Sequence, residues 1–111
     1  MAGELVYFTL GVENSEQARA FYGGLFGWQF EPGSVADGFY IQGSSPPGGL
    51  QGGGSTRGFR VYFQVDDIEA AAARIRDLGG DAGMVKTSSS GSYADCRDNE
   101  GHEFSLFAPP R

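Results

Sequence analysis

The chain is poor in several residue types that would open specific chemistries: of its 111 residues one is cysteine, one histidine, one tryptophan and two methionine, and eight lysines and arginines face fourteen acidic residues. A single cysteine, Cys96, excludes an intrachain disulfide and makes a reducing compartment the simpler setting. The basic deficit leaves a formal net charge of −6. Such a chain lacks the basic face needed to displace counterions from nucleic acid or to dock on an anionic membrane, so neither is expected as a partner. No apolar run approaches membrane length, and the Met-Ala-Gly-Glu start has neither the basic nor the apolar region of a signal peptide. A cytoplasmic protein is expected.

What the chain has in quantity is glycine, 19 residues, and aromatics, 14 %. That composition calls for a packed core interrupted by tight turns, and the length allows one domain or two half-domains sharing a core. Its organising feature is a repeat. Gly27 and Gly80 lie 53 residues apart, and the same offset sets Phe8 over Val61, Leu10 over Phe63, Val12 over Val65, Asn14 over Asp67 and Leu25 over Leu78. A strand, a cap and a helix are therefore used twice.

Taken in order, Phe8, Leu10 and Val12 alternate with Tyr7, Thr9 and Gly11, the period-2 pattern of a strand with one buried face. Asn14, with Gln17 three residues on, reads as a helix cap, and Ala18, Phe21, Tyr22 and Leu25 as the apolar stripe of a helix ending near Gly27. Residues 28–30 and 38–42 read as short strands. The glycine-rich segment 43–57 reads as a weak strand around Leu50 and Gln51 flanked by loop, and it has no phosphate-cradling pattern. The second half repeats the plan. Val61, Phe63 and Val65 form a buried strand face, Asp67 caps a helix with the stripe Ile68, Ala71, Ala72, Ile75 and Leu78, and strands follow at 82–86, 92–97 and 103–107, the last two joined by the turn at 98–101.

Phe21-Tyr22 with Leu25-Phe26-Gly27-Trp28, the Val65-Asp66-Asp67 junction, and Asp98-Asn99-Glu100-Gly101-His102-Glu103-Phe104 before a last strand resemble the vicinal oxygen chelate superfamily. That family includes glyoxalase I, extradiol dioxygenases, fosfomycin resistance enzymes and bleomycin resistance proteins. The resemblance covers nearly the whole chain and implies an α+β fold: one domain over 1–111, made of tandem βαβββ modules at about 4–55 and 57–108 whose strands form a curved mixed-sheet cup with the helices outside. Alternation then turns Tyr7, Thr9, Tyr40, Gln42, Arg60, Tyr62, Gln64, Tyr93, Asp95, Glu103 and Ser105 away from the helices. Of these, Tyr7, Thr9, Tyr40, Arg60, Tyr62, Gln64, Tyr93 and Ser105 are the candidate ligand-binding residues. Tyrosines offer broad apolar surface with an orienting hydroxyl, and Arg60 would pair with a carboxylate or phosphate or stack on a ring.

Catalytic members of the family hold a divalent metal on His, Glu or Gln from the first and last strand of each module. The matching positions here are Tyr7 and Arg60, and Ser105 with Gly52 at the same 53-residue offset. None suits a divalent cation, so no metal and no other cofactor is expected. His102 and Glu103, with Asp95, Asp98 and Glu100 nearby, are the one cluster with ligand chemistry and read as a solvated turn; Cys96 should face the core. The resemblance therefore implies a metal-independent binder of a small organic molecule, like the bleomycin resistance branch, and a homodimer. Two alternatives stay open. One is a glyoxalase-like lyase or dioxygenase with a rearranged metal site; the other is a dimeric scaffold in which the tyrosines fill the cup and Arg60 pairs with Glu103 or Asp95.

Overall fold

A computed structural model describes residues 3–110. The elements are β1 (Glu4–Val12), α1 (Ser15–Phe26), β2 (Gln29–Pro32), β3 (Gly38–Gln42), β4 (Gly48–Gly52), β5 (Gly58–Gln64), α2 (Ile68–Asp77), β6 (Asp81–Ala82), β7 (Lys86–Ser88), β8 (Gly91–Arg97) and β9 (Glu103–Ala108). This is a βαβββ order used twice, the expected α+β architecture. In the second module the strand expected over 82–86 is instead two short pieces, β6 and β7, each paired with β8. The chain resolves into two compact units, one of Tyr7–Arg60 and one of Val61 onward together with the residues before Tyr7.

In the unit Tyr7–Arg60 the strand order is β2-β3-β4-β1, antiparallel except for the parallel pair of β1 and β4. The register sets Leu10 beside Leu50 and Leu50 beside Phe39. Phe8, Leu10, Ile41 and Leu50 are buried. The Asn14 side chain accepts the Gln17 backbone N–H at 3.0 Å, the cap expected of it.

One correction concerns the exposed face of α1. Phe21 and Leu25, expected in the buried stripe, are 62 % and 60 % exposed. The turned-in positions are instead Ser15, Ala18, Arg19, Tyr22 and Gly23. Arg19 takes a place an apolar residue would normally hold because its guanidinium lies over the Phe39 ring, 4.1 Å from the centroid, while its stem covers apolar surface. Tyr22 stacks on Trp28 with centroids 5.6 Å apart, and Phe8 meets Trp28 at 5.8 Å and Phe59 at 6.1 Å. The apolar residues of this helix thus build an aromatic cluster at its C-terminal end.

Three elements of the same unit meet at Asp37. It sits in the turn before β3 with φ +58°, a left-handed conformation that non-glycine residues seldom adopt. Its carbonyl accepts the Gly52 N–H at 3.0 Å, and its carboxylate accepts the hydroxyl of Ser15, a buried residue in the first turn of α1, at 2.5 Å. The other carboxylate oxygen fills the space that a Cβ on Gly52 would need.

In the other unit the order is β5-β9-β8-β6, with β7 also on β8; β5 and β9 run parallel and the rest antiparallel. Asp67 caps α2 through the Ala70 N–H at 3.1 Å. Val65, Ile68, Ala94, Cys96, Leu106 and Ala108 form the core, with Phe63, Ala71, Ile75 and Phe104 packed on it. Cys96 is buried, as its alternation with Asp95 required, and its thiol donates to the Ala94 carbonyl at 3.6 Å. Leu78, expected in the helix stripe, is 62 % exposed: it stands just past α2, where the chain is already turning. The Gly3 N–H donates to the Gln64 carbonyl at 2.8 Å, tying the residues before Tyr7 to the end of β5.

Candidate functional site

Each unit turns an aromatic and polar strand face away from its buried one, and the candidate residues are distributed over both. In the unit Tyr7–Arg60, Thr9 of β1, Gly49 of β4 and Tyr40 of β3 lie side by side across three strands, with Glu31 next in the row. Their sequence neighbours Leu10, Leu50 and Ile41 are buried, so the row lies on the opposite face. Tyr40 is 50 % exposed. Tyr7 shares this face: its phenol oxygen stands 2.7 Å from where a Cβ on Gly49 would be. Tyr7, Thr9 and Tyr40 are thus brought together. Arg60, half-buried near the end of the same unit, lies on β5 between Phe59 and Val61.

In the other unit Tyr62, Ser105 and Asp95 form one row across β5, β9 and β8, and Gln64, Phe107, Tyr93 and Lys86 form the next. Ser105 is fully buried and donates its hydroxyl to Asp95 at 2.7 Å. The Lys86 ammonium lies 5.9 Å from the Tyr93 ring centroid. Tyr62, Gln64, Tyr93 and Ser105 therefore do share a face, and within it Ser105 works through Asp95, whose side chain is the exposed one. Asp95 was assigned to this face by alternation but not to the binding set. The loop between the strands is 98–102, which sets Arg97 opposite Glu103 and hence Asp95 opposite Ser105; the turn read at 98–101 is one residue shorter and would set Asp95 opposite Phe104.

The register also corrects the pairing of last-strand positions. Ser105 lies beside Tyr62, and the first-module counterpart of Tyr62 is Thr9, whose neighbour on the last strand is Gly49. Gly52, assigned by the constant offset, lies beside Val12 on the side of Leu10 and Leu50 instead. The reason is an unequal repeat: 43 residues separate Tyr62 from Ser105 and 40 separate Thr9 from Gly49. The extra residues fall between the second helix and its last strand, so an offset measured on strand and helix drifts by three before the final strands.

The positions that the resemblance gives to metal ligands then hold Tyr7, Gly49 and Arg60 in one unit and Ser105 in the other, and none of these residues suits a divalent ion. Glycine has no donor and its place is taken by a phenol; a guanidinium repels a cation; the serine hydroxyl is buried and turned toward a carboxylate. Among the described residues no three His, Cys, Asp or Glu side chains are grouped to hold a metal. Around the turn, Glu103 of β9 pairs with Arg97 of β8 at 3.0 Å and His102 Nδ1 meets Asp98 at 3.1 Å, so the two neighbours are held by different partners.

Asp98 organises that turn. Its carboxylate accepts the backbone N–H of His102 at 2.9 Å and of Glu100 at 2.8 Å, and these bonds, the His102 one foremost, hold its pKa below the ordinary 3.8. A depressed carboxylate pKa adds stability above the unfolded-state value, and that stability is lost as pH falls through the folded-state value. The difference in melting temperature between the native chain and Asp98→Ala is therefore expected to be constant above about pH 5 and to shrink below pH 3.8. A difference that stays unchanged down to about pH 2 would remove the ionised carboxylate as the cause.

A family model described as a glyoxalase-like domain matches residues 7–107. The chain belongs to that family. Solved structures share the fold of this glyoxalase-like chain. It superimposes on methylmalonyl-CoA epimerase from Mycobacterium tuberculosis with a TM-score of 0.65 at 16 % identity, covering 98 % of this chain and 89 % of that one. A glyoxalase/bleomycin resistance protein/dioxygenase superfamily member from Vibrio splendidus gives 0.69 at 14 %, covering 97 % and 99 %. A 2,2',3-trihydroxybiphenyl 1,2-dioxygenase from Sphingomonas wittichii gives 0.72 at 15 %, covering 100 % of this chain but 42 % of that one. At such identities the likeness is one of fold. No curated protein matches the chain. Among the described residues no helix is long and apolar enough to cross a membrane.

Proposed function

We propose that this glyoxalase-like chain binds a small, planar or partly aromatic organic molecule without a metal ion, and that binding itself is its action. The observation that carries the reading is the residue set at the metal positions, Tyr7, Gly49, Arg60 and Ser105, together with the phenol seated over Gly49. Where metal-dependent relatives place ligands for an ion, this chain places groups suited to organic surface. Each unit offers a face of this kind: in one, Tyr40 gives a ring and hydroxyl and Thr9 a hydrogen bond; in the other, Tyr62, Tyr93 and Gln64 do so, and Asp95, oriented by buried Ser105, is an acceptor. Arg60 complements an anionic group on that molecule.

Two measurements test this. Elemental analysis after dialysis is expected to find far less than one equivalent of Zn, Ni, Mn or Fe. Naphthoate, as an aromatic carboxylate probe, is expected to raise the melting temperature, and Arg60→Ala to weaken its binding about tenfold or more, the effect of one lost charge-assisted hydrogen bond. A stoichiometric metal that survives dialysis, or a set of aromatic carboxylates none of which shifts the melting temperature, would overturn the reading.

A further inference from the structure

The strand face that carries Tyr7 and Thr9 is covered at its far end. Gly11 is the next residue on that face, and the space its missing Cβ leaves is filled by the backbone carbonyl of Thr56. The segment that delivers this carbonyl, residues 53–57, follows β4 directly. Its near end is pinned by the Gly53 N–H, which donates to the Val12 carbonyl at 3.1 Å. Glycines in left-handed conformations bound it, Gly53 at φ +72° and Gly58 at φ +87°, which is where a chain can swing without side-chain clashes. Between them the segment braces itself. Arg57 Nη1 donates to the Gly54 carbonyl and, at 3.0 Å, to the Thr56 carbonyl, while Gly54 has nothing within 4 Å of a Cβ built on it. The segment is thus fastened internally and to Val12, with the Thr56 carbonyl lying against Gly11, and it lies exposed.

We propose that residues 53–57 are a hinged strap that closes the Gly11 end of the Tyr7–Thr9 strand face and swings on Gly53 and Gly58 as one body when a ligand enters or leaves. The seating of the strap stands on the geometry alone; its service to a ligand rests on the binding reading above. Any side chain at position 11 would unseat it, because the clash is with backbone, and loss of the Arg57 guanidinium would loosen it without touching the strand face.

The test is backbone ¹⁵N relaxation on the full chain. In the native protein the amides of Gly54 to Arg57 are expected near the order parameter of rigid backbone, about 0.85, with microsecond-to-millisecond exchange at Gly11 and at Gly53 to Gly58. Arg57→Ala and Gly11→Ala should each bring residues 54–57 below about 0.6 while β3 and β8 stay rigid. Saturating naphthoate should suppress the exchange at Gly11 and the strap. Order parameters already below about 0.6 in the native chain, or unchanged in Arg57→Ala, would overturn the seating. Exchange that persists although naphthoate is bound would overturn the gating. Failure of naphthoate to bind at all tells against the binding reading instead, and the ligand-free relaxation data still decide the seating.

Discussion

Leu50→Ala is expected to lower stability by about 3 kcal/mol, within the 2 to 5 kcal/mol usual for truncating a buried leucine. The strand β4 reads Gly-Gly-Leu-Gln-Gly, so Leu50 is its only large apolar side chain. It is 2 % exposed and lies between Leu10 and Phe39 in register. Glycine contributes no side-chain burial and raises the entropy lost on ordering a strand, so the place of β4 between β1 and β3 depends on this one residue. A domain of this size has a total stability of about 5 to 15 kcal/mol, and the loss is a large share of it. Urea unfolding should show the midpoint moving down with an unchanged slope, and Leu50→Met, which keeps the volume, should cost less than about 1.5 kcal/mol. An alanine variant within about 1 kcal/mol of the native chain would mean that β4 is held by its backbone pairing alone.

The second large effect is expected at Asp37. Asp37→Ala removes the acceptor of a buried hydroxyl on Ser15 and leaves a residue less tolerant of positive φ in a left-handed turn. The orphaned hydroxyl costs about 1 to 3 kcal/mol and the backbone up to about 1 to 2 kcal/mol, so a loss of about 2 to 3 kcal/mol is expected. Asp37→Gly separates the two, since it relieves the backbone and leaves the hydroxyl unpaired; it should recover about 1 kcal/mol of the loss. Chemical denaturation of both variants decides the matter. Equal losses would assign the whole effect to the carboxylate, and losses within about 0.5 kcal/mol of zero would show that Ser15 finds water instead.

The fold was legible because its evidence is local and repeated. Strand alternation from Phe8 to Val12 and from Val61 to Val65, and caps at Asn14 and Asp67, need only neighbouring residues, and both caps make the expected bonds. The helix stripes were less so. On α1 the spacing of Ala18, Phe21, Tyr22 and Leu25 and that of Ser15, Ala18, Arg19 and Tyr22 are equally helical, and only the sheet beneath chooses between them; the arginine wins by lying on Phe39. In the candidate site, alternation assigned faces correctly but not partners. A face depends on the parity of one strand, whereas partners depend on the register between strands, and register responds to the lengths of intervening connections. The three residues added to the second module are invisible to a constant offset, and they exchange Gly52 for Gly49. The Asp95–Ser105 pair was hidden for a similar reason: a turn read as 98–101 sets Asp95 opposite Phe104, and only a fifth loop residue, His102, brings Ser105 into register.

The bond from Gly3 to the end of β5 has a practical consequence for handling the molecule. Residues before Tyr7 belong structurally with the half of the chain that begins at Val61. Cutting the gene into its two repeats at the obvious boundary would therefore deliver a second fragment short of a piece that the first one carries. A split reporter or a transplanted half-domain made from this sequence would have to move the leading residues to the other fragment, and an N-terminal fusion should be followed by signals from Gln64 and its neighbours.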